Sequence, residues 1–418
     1  MSREISFISL QSDPLAPPDG TQYGGQNAYI KELSRYLGAF GFKIDVYSRW
    51  ENDQQPGHEV YSKGTRVIRI PVGPPEEIQK EKILRHLKEI AAWIPTYQIK
   101  QGLHYSLVHS HYYLSGVVGI HMKDTWGIPL VHTFHSLGAI KEEILGSGSH
   151  NPETRQKIEK MICSKADRII ATNSQEKADL IELYQADPEI ISIIPCGVNL
   201  KLFQPLPQSE SRVEIAFPDD VFLITYVGRL EEKMGLDTLL KAIQLVANPE
   251  VQAVIVGGPP SDKPFLSRAE LSREPFRKYI ELVDEYGLEK QITFTGGKPK
   301  EQLSKYYSAG DITVVPSLYD PVGLTAIEAL ACGSSVIASR VGGLISTVQE
   351  NRVGALFDPR NAEQLAEKIK LIYEQPMINK ELRKNARPYA EENFNWKSTA
   401  KSVGRVYQEL IEESDSQG

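Results

Sequence analysis

The feature that most constrains the fold is an alternation of short apolar runs with longer amphipathic segments, which restarts near the middle of the chain. The first series of apolar runs is EISFISL, FKIDVYS, RVIRI, SLVHSHY, PLVHTFHS, RIIATN and EIISIIP. The second series is VFLITYVGRL, VQAVIVGG, QITFTGG, DITVVPS, SSVIASR and GALFD. Helical patterns such as NAYIKELSRYLGAF and LTAIEALACG lie between them. This is the βαβ rhythm of parallel sheets, so the sequence predicts an α/β protein with two doubly wound, Rossmann-like halves.

The two series divide the 418 residues into an N-terminal domain at 1–203 and a C-terminal domain at 204–389. The polar, proline-containing stretch at 204–214 is interpreted as the linker. The helical pattern at 390–413 has no strand after it and is predicted to cross back to the N-terminal domain. Because ligands bind at the carboxyl ends of the strands in such sheets, loops of both halves are expected to face one cleft. The absence of a Walker A or G-x-G-x-x-G sequence argues against a kinase or an ordinary dinucleotide enzyme.

Charge and hydropathy exclude several other classes of function. The formal net charge of -7 provides no general attraction for nucleic acid, which needs a basic face. No stretch approaches 18 uncharged apolar residues and no signal sequence is recognised, so a cytoplasmic protein without membrane segments is expected. The three cysteines are odd in number and lack C-x-x-C spacing, which favours reduced thiols over a disulfide framework. Any phosphate must then be bound by local sites, and the sequence does not indicate an oligomeric state.

The segment DPVGLTAIE in the second half is the strongest candidate for such a site. A strand ends in a proline-containing turn, and a helix is predicted to begin near Leu324 or Thr325. The first amides of a helix attract phosphate, so Gly323, Leu324 and Thr325 are candidate donors to a pyrophosphate. Glu328 follows one turn later, where its carboxylate can accept hydrogen bonds from ribose hydroxyls. A simple helix-capping arrangement explains the same residues equally well.

Other strand-end residues of the second half extend this candidate site. Arg229 ends a strand, where its guanidinium can offset charge on a leaving phosphate, although a surface arginine is the alternative. Glycines at two further strand ends permit close approach of a base or phosphate: Gly257, Gly258, Gly296 and Gly297.

In the first half, Gly24 and Gly25 precede a predicted helix, which also favours anions. His135 follows a buried strand and can hydrogen-bond a sugar hydroxyl, while Lys141 and Arg155 can receive an acceptor phosphate. Metal binding is the rival interpretation of the four histidines His109, His111, His132 and His135. It is disfavoured because no carboxylate or cysteine stands at ligand spacing.

In this order, the motifs resemble those of the retaining GT-B glycosyltransferases, and most closely the sucrose-phosphate synthase group. The matching segments are GGQNAYI, HSHYYLSG, HTFHSLGAIK, RIIATN, IIPCGVNLKLF, VGRL, VVPSLYDPVGLTAIEALACG and ASRVGG. They span nearly the whole chain, and the ordered set is far more specific than any single motif. The resemblance implies transfer of glucose, with retention of configuration, from UDP-glucose to fructose 6-phosphate, giving sucrose 6-phosphate and UDP without a metal or other cofactor. ADP and GDP remain alternative donor nucleotides, because the strand-end glycines would contact the base largely through the backbone.

The resemblance also implies roles for individual residues. The expected catalytic residues are His135, Arg229, Asp320 and Glu328. The expected donor-binding residues are Gly25, Arg229, Lys233, Gly297, Val322, Gly323, Leu324, Thr325 and Glu328. The expected acceptor-binding residues are Gln26, His111, Tyr112, Lys141 and Arg155.

Two positions depart from the family pattern. The family has two glutamates separated by seven residues, and the first of these is Asp320 here, one methylene shorter. The family lysine five residues after the diphosphate-binding arginine is replaced by Met234, with Lys233 one residue earlier. A thioether cannot neutralise a diphosphate. Transfer to another small acceptor, and a regulatory homologue that binds UDP-sugar with weak catalysis, therefore remain as alternatives.

Overall fold

The computed structural model describes residues 3–16, 24–146 and 152–417, and the chain divides into two compact units. The first unit is Met1–Gly197 with Trp396–Gly418, and the second is Val198–Asn395. Within the described ranges, no helix combines the length and the apolar character needed to cross a membrane. Cys163, Cys196 and Cys332 are buried, and none of the three is in a disulfide in the described part of the chain.

The first unit is built on an eight-stranded sheet. Its strands are β1 (Glu4–Ile8), β2 (Lys43–Arg49), β3 (His58–Ser62), β4 (Thr65–Ile70), β5 (Leu107–His111), β6 (Leu130–Thr133), β7 (Arg168–Ala171) and β8 (Ile191–Ile193). They lie in the order β3-β4-β2-β1-β5-β6-β7-β8, and every pair is parallel except β3 with β4. This order brings the ends of β5 and β6 side by side, with His111 paired to Thr133.

Helices lie between the strands of this unit. They are α1 (Gly25–Ala39), α2 (Lys80–Ile83), α3 (Leu87–Gln101), α4 (Tyr113–Trp126), α5 (Gly138–Leu145), α6 (Pro152–Lys165) and α7 (Ser174–Tyr184), with short 3-10 turns at Leu84–His86 and Pro188–Ile190. The helical pattern NAYIKELSRYLGAF is confirmed as α1, which buries Tyr29, Ile30, Leu33 and Leu37 on one face. The helices thus cover a sheet whose strands are apolar on both faces.

The second unit has a six-stranded, wholly parallel sheet in the order β11-β10-β9-β12-β13-β14. The strands are β9 (Phe222–Val227), β10 (Val251–Pro260), β11 (Ile292–Gly297), β12 (Ile312–Val315), β13 (Ser335–Ser339) and β14 (Gly354–Phe357). The helices are α8 (Gln208–Glu214), α9 (Leu236–Val246), α10 (Arg268–Leu271), α11 (Arg277–Tyr286), α12 (Lys300–Ala309), α13 (Leu324–Ala331), α14 (Gly342–Thr347), α15 (Ala362–Glu374) and α16 (Pro376–Asn393). Ile255 and Val256 are successive residues of β10, and they belong to two different buried apolar clusters. Both faces of the sheet are therefore covered by a hydrophobic core.

The interpretation of residues 204–214 as a linker was wrong. Residues 208–214 form α8, and Arg212 donates to the Asp311 carboxylate at 2.7 Å and to the Ala309 carbonyl at 3.0 Å. These buried contacts attach α8 to the second unit, whose first residue is Val198. Proline and polar residues suggested a linker because contacts distant in sequence are not visible in composition.

The helical pattern at 390–413 is interrupted. Helix α16 ends at Asn393, and α17 (Trp396–Gln417) begins after a break. At the break, the Val198 amide donates to the Phe394 carbonyl at 2.8 Å, and Val198 forms a β-bridge with Asn395. Helix α17 belongs to the first unit, where the Tyr407 hydroxyl lies 2.5 Å from His109 Nδ1.

Candidate active site

The loop between β12 and α13 is closed by the carboxylate of Asp320. Its Oδ1 accepts from the amides of Gly323 at 2.7 Å and Val322 at 3.3 Å. A short aspartate is well suited to bonds with amides two and three residues ahead. Burial raises the pKa of Asp320, and the two amide bonds partly offset this rise. In this structure the predicted catalytic carboxylate therefore holds its own loop, and it engages two of the amides predicted to bind the donor.

A second loop packs tightly on this one. The Gly343 amide donates to the Asp320 carbonyl at 2.9 Å. A Cβ at Gly342, which has φ of 46°, would lie 2.3 Å from the same carbonyl oxygen. Only glycine is compatible with this approach, so ASRVGG, the motif that ends β13, serves to support the loop around Asp320.

Helix α13 begins at Leu324, after Gly323 in the left-handed conformation with φ of 80°. The amides of Leu324 and Thr325 are in the first turn, where a helix offers no acceptor of its own. Together with the helix dipole, they form a positive end that suits an anion. These two predicted donor-binding residues thus have the geometry that the sequence implied.

Glu328 lies one turn into α13 and is half-buried. Its Oε2 accepts from the Tyr307 hydroxyl at 3.0 Å. Burial raises the pKa of Glu328, while the charge of Lys300 and the Tyr307 bond oppose the rise. Tyr307, on α12, was missed because nothing in the local sequence connects it with the loop of Asp320.

The cationic residues after β9 converge on one carboxylate. Arg229 Nη1 is 2.8 Å from Glu231 Oε1, and Lys233 Nζ is 2.7 Å from Glu231 Oε2. A 3-10 turn at Glu232–Met234 carries the lysine, and the Lys233 carbonyl accepts from the Leu318 amide at 2.7 Å. This bond ties the cationic loop to the loop that contains Asp320.

Met234 has a different environment from Lys233. Its side chain packs against the apolar cluster that contains Ile255. Its methyl group lies 3.3 Å from the ideal Cβ position at Gly228. Arg229 is therefore accompanied by Lys233, while Met234 contributes to packing.

The strand-end glycines have structural contacts of their own. A Cβ at Gly257 would lie 1.9 Å from the Gly228 carbonyl oxygen, and a Cβ at Gly297 would lie 2.6 Å from that of Gly258. Close packing of backbone accounts for both residues. A donor-binding role for Gly297 stays a prediction.

In the first unit, His111 and His135 form a pair at the ends of β5 and β6. His111 Nδ1 and His135 Nε2 are 3.1 Å apart, and the Tyr29 ring lies edge-on to His135 with centroids 4.9 Å apart. His111 is fully buried, and its predicted contact with the acceptor stays a prediction. Burial, and then the charge of Lys80, lower the pKa of His135 to about 3, and burial also lowers the pKa of His111. Both rings are neutral at physiological pH.

The two other histidines of this set have hydrogen-bond partners within the first unit. His109 bonds to Tyr407 and to Thr133, and His132 Nδ1 lies 2.7 Å from the Ser110 hydroxyl. Among residues 3–16, 24–146 and 152–417, no group of three or more His, Cys, Asp or Glu side chains has an arrangement that could hold a metal ion.

Two cations lie close to the ring of Tyr112. Lys80 Nζ is 5.2 Å and Arg155 Cζ is 5.0 Å from the centroid of its ring. Arg155 is buried and donates to the Glu159 carboxylate at 2.7 Å and to the Ser136 carbonyl at 2.7 Å. Glu159 is the ion-pair partner of Arg155, and Lys80 is the second cation beside Tyr112. Lys80 was missed, because a lysine at the start of a short helix carries no motif.

The start of α1 contains Gly25, which is exposed, and Gln26. Gln26 Oε1 accepts from Gln11 Nε2 at 3.0 Å, whereas its buried Nε2 has no hydrogen-bond partner in the described part of the chain. Residues 17–23, which precede Gly24, lie outside the described residues. Lys141, on α5, is half-buried, and its acceptor role stays a prediction.

Comparison with known proteins identifies the family. Residues 207–392 match the family described as glycosyl transferases group 1, and residues 23–202 match glycosyltransferase family 4. The D-inositol 3-phosphate glycosyltransferase of Arthrobacter sp. (strain FB24) is 30% identical over 417 residues, which cover 98% of this chain and 96% of that protein.

Solved structures agree with this family. The sucrose-phosphate synthase of Thermosynechococcus elongatus is 37% identical, with a TM-score of 0.85 and coverage of 98% of this chain and 99% of that one. Anabaena HepE in complex with UDP shares the fold at 18% identity, with a TM-score of 0.72 and coverage of 98% and 100%. The predicted GT-B fold is confirmed, while the narrower sucrose-phosphate synthase group stays a prediction because relatives by sequence carry another name. The chain is a GT-B glycosyltransferase and belongs to the group 1 glycosyltransferase family.

Proposed function

We propose that this chain transfers a hexosyl group, with retention of configuration, from a UDP-sugar to a phosphorylated polyol. The preferred substrates are UDP-glucose and fructose 6-phosphate, which would give sucrose 6-phosphate and UDP. The observation that carries the proposal is the pair of cations, Lys80 and Arg155, that both lie close to the ring of Tyr112. The 37% identity to a sucrose-phosphate synthase favours fructose 6-phosphate as the acceptor.

On the donor side, Arg229 and Lys233 would bind the diphosphate, because two cations that reach one carboxylate can also reach one phosphate group. The first amides of α13 would bind its oxygens. Glu328, with one oxygen held by Tyr307, would accept hydrogen bonds from the ribose hydroxyls. As charge develops on the leaving diphosphate, the two cations would stabilise it.

On the acceptor side, Lys80 would provide the charge that attracts the phosphate, and Arg155 would contribute directed hydrogen bonds from a guanidinium held by Glu159 and Ser136. His135 is neutral, which suits a hydrogen bond with a sugar hydroxyl better than attraction of an anion. Lys141 remains a proposed partner of the same phosphate.

D-inositol 3-phosphate is the second candidate acceptor. Relatives such as the Arthrobacter protein, which this chain matches over nearly the whole length, are named D-inositol 3-phosphate glycosyltransferases. Both candidates are phosphorylated polyols, so both need a cationic pocket. Only the shape of the pocket would discriminate between them.

The proposal is tested by assaying release of UDP from UDP-glucose with each acceptor, and by identifying the product by ³¹P NMR. We expect turnover with fructose 6-phosphate. With unphosphorylated fructose, we expect no release of UDP above that of the Glu328→Ala variant, which is the control. If only D-inositol 3-phosphate supported turnover, it and not fructose 6-phosphate would be the acceptor. Tight UDP binding without turnover on either acceptor would instead favour a regulatory homologue.

Replacing Glu231 by glutamine is expected to tighten UDP binding. The Glu231 carboxylate is bonded to both cations that the diphosphate needs. Removing its charge at this half-buried position is worth about 1 kcal/mol, or roughly fivefold in affinity. Calorimetry with UDP at low and high salt measures the gain, which screening should reduce at high salt. Glu232→Gln, at an exposed carboxylate on the same turn, is the control. Equal or weaker UDP binding by Glu231→Gln would contradict this competition.

A further inference from the structure

Two adjacent strand ends of the first unit have backbones in a strained conformation. Tyr112, after β5, has φ of 75°, and His135, after β6, has φ of 60°. Neither residue is glycine, and such conformations cost about 1 kcal/mol or more unless surrounding structure maintains them. The Tyr112 amide donates to the Thr133 carbonyl at 2.9 Å, which joins the two turns. With the backbone in this conformation, the His135 ring lies beside the His111 ring.

The hydrogen bond between the two histidines has a preferred direction. His111 Nε2 is buried and has no hydrogen-bond partner in the described residues. If His135 donated, His111 Nε2 would carry a buried N–H without an acceptor. If His111 donates from Nδ1, Nε2 retains only an unmet lone pair, which costs less, as orphaned buried N–H groups are rarer than unmet acceptors. His111 is therefore the donor, and His135 Nε2 is the acceptor.

This direction determines the proton on His135. A neutral imidazole that accepts at Nε2 carries its proton on Nδ1. We propose that His111 is a positioning residue that fixes His135 in the Nδ1–H tautomer, so that His135 presents a hydrogen-bond donor to an oxygen of the transferred sugar. The identity of that sugar oxygen rests on the proposed function, whereas the link from His111 to His135 does not.

The surroundings of the pair favour one uncharged form. His111 packs against the rings of Phe7 and His109, with centroids 5.0 and 4.1 Å away, and Tyr29 borders both histidines of the pair. The charge that faces His135 is that of Lys80, which disfavours an imidazolium. His135 thus donates one hydrogen bond and is not a source of positive charge.

The test compares two substitutions of His111. In His111→Asn, the amide nitrogen reaches the position of Nδ1 and can donate the same bond to His135. In His111→Phe, the ring is kept and the bond is lost. We expect His111→Phe to lower kcat about 10- to 100-fold, the usual effect of losing the partner that orients a functional histidine. KM for UDP-glucose should stay within about threefold, and His111→Asn should recover most of kcat.

His132→Phe is the matched control. His132 is another fully buried histidine, and the substitution removes its hydrogen bond to Ser110, a bond that does not involve His135. We expect it to lower Tm as His111→Phe does while kcat remains near that of the parent. If His132→Phe reduced kcat as strongly, the effect of His111→Phe would be general destabilisation and the proposal would fail.

The tautomer itself is read from ¹⁵N NMR of labelled histidine, with His135→Asn for assignment. The expected parent spectrum has protonated Nδ1 and bare Nε2 at His135, and His111→Phe should produce a mixture. A protonated Nε2 in the parent, or equal kcat in His111→Phe and the parent, would overturn the proposal. If the parent shows no transferase activity, the proposed function fails, and this spectrum still decides the link between the two histidines.

Discussion

Replacing Lys233 by methionine is expected to slow turnover about a hundredfold or more, because loss of one group that stabilises developing charge costs about 2.7 to 4 kcal/mol. Lys233 Nζ and Arg229 Nη1 contact the two oxygens of the Glu231 carboxylate at 2.7 and 2.8 Å. An anion between them is therefore within reach of both. With Met234 directed to packing, Lys233 is the residue that would replace the family lysine.

The effect should appear mainly in kcat, since the charge on the diphosphate grows as the glycosidic bond breaks. Steady-state kinetics with UDP-glucose and calorimetry with UDP separate this loss from weaker ground-state binding. Met234→Leu is the control, because it conserves volume against the apolar cluster and should cost less than about 1.5 kcal/mol in stability with turnover unchanged. Turnover of Lys233→Met within about threefold of the parent would show that Lys233 does not act on the diphosphate.

The pair Lys233 and Met234 illustrates what the sequence can and cannot predict. The spacing from Arg229 indicated that a cation was missing, because the family has a lysine five residues after this arginine and the chain has Met234 there. It could not show that a 3-10 turn at Glu232–Met234 directs the earlier lysine toward the carboxylate shared with Arg229. Whether a neighbouring residue substitutes depends on backbone conformation, which a count of positions does not contain.

The fold was more predictable than the site. Strands such as β9 and β10 were evident because a parallel sheet covered on both faces needs continuous apolar runs. The first-turn amides of α13 were predictable because phosphate affinity there is a property of the helix backbone. In contrast, the capture of the Val322 and Gly323 amides by Asp320 depends on a particular turn.

Contacts between distant segments account for the rest of what was missed. Lys80 reaches Tyr112 from α2, and Tyr307 reaches Glu328 from α12. Neither residue stands in a motif, so only the packing of helices on the sheets reveals them. The complete burial of His111 was not evident for a related reason, since its motif does not show how other elements cover the end of β5.

Replacing Glu159 by glutamine is expected to destabilise the protein by about 3 kcal/mol or more, because it leaves the buried Arg155 guanidinium without its counter-charge. The Arg155 side chain is 9% exposed, and that of Glu159 is fully buried. Glu159 also accepts from the Tyr184 hydroxyl at 2.6 Å and from the Gly138 amide at 3.0 Å. A glutamine keeps the shape but not the charge.

The double substitution Arg155→Met with Glu159→Gln should recover much of this stability, since no buried charge remains and the methionine fills a similar space. It should not recover activity. We expect kcat/KM for fructose 6-phosphate to stay at least about tenfold below that of the parent, because a guanidinium contact to phosphate is worth on the order of 1.5 to 3 kcal/mol. Binding of UDP should be unchanged, as these residues belong to the acceptor side of the proposal.

Urea denaturation of the parent, the two single variants and the double variant measures the coupling free energy of the pair, and acceptor kinetics on the same proteins measures its role in binding. A double variant that is stable and inactive toward the phosphorylated acceptor separates the two roles of Arg155. If the double variant were as unstable as the sum of the single changes, the pair would not be a coupled buried ion pair. If the stable double variant used fructose 6-phosphate as well as the parent does, the acceptor phosphate would have to be bound by Lys80 and Lys141 without Arg155.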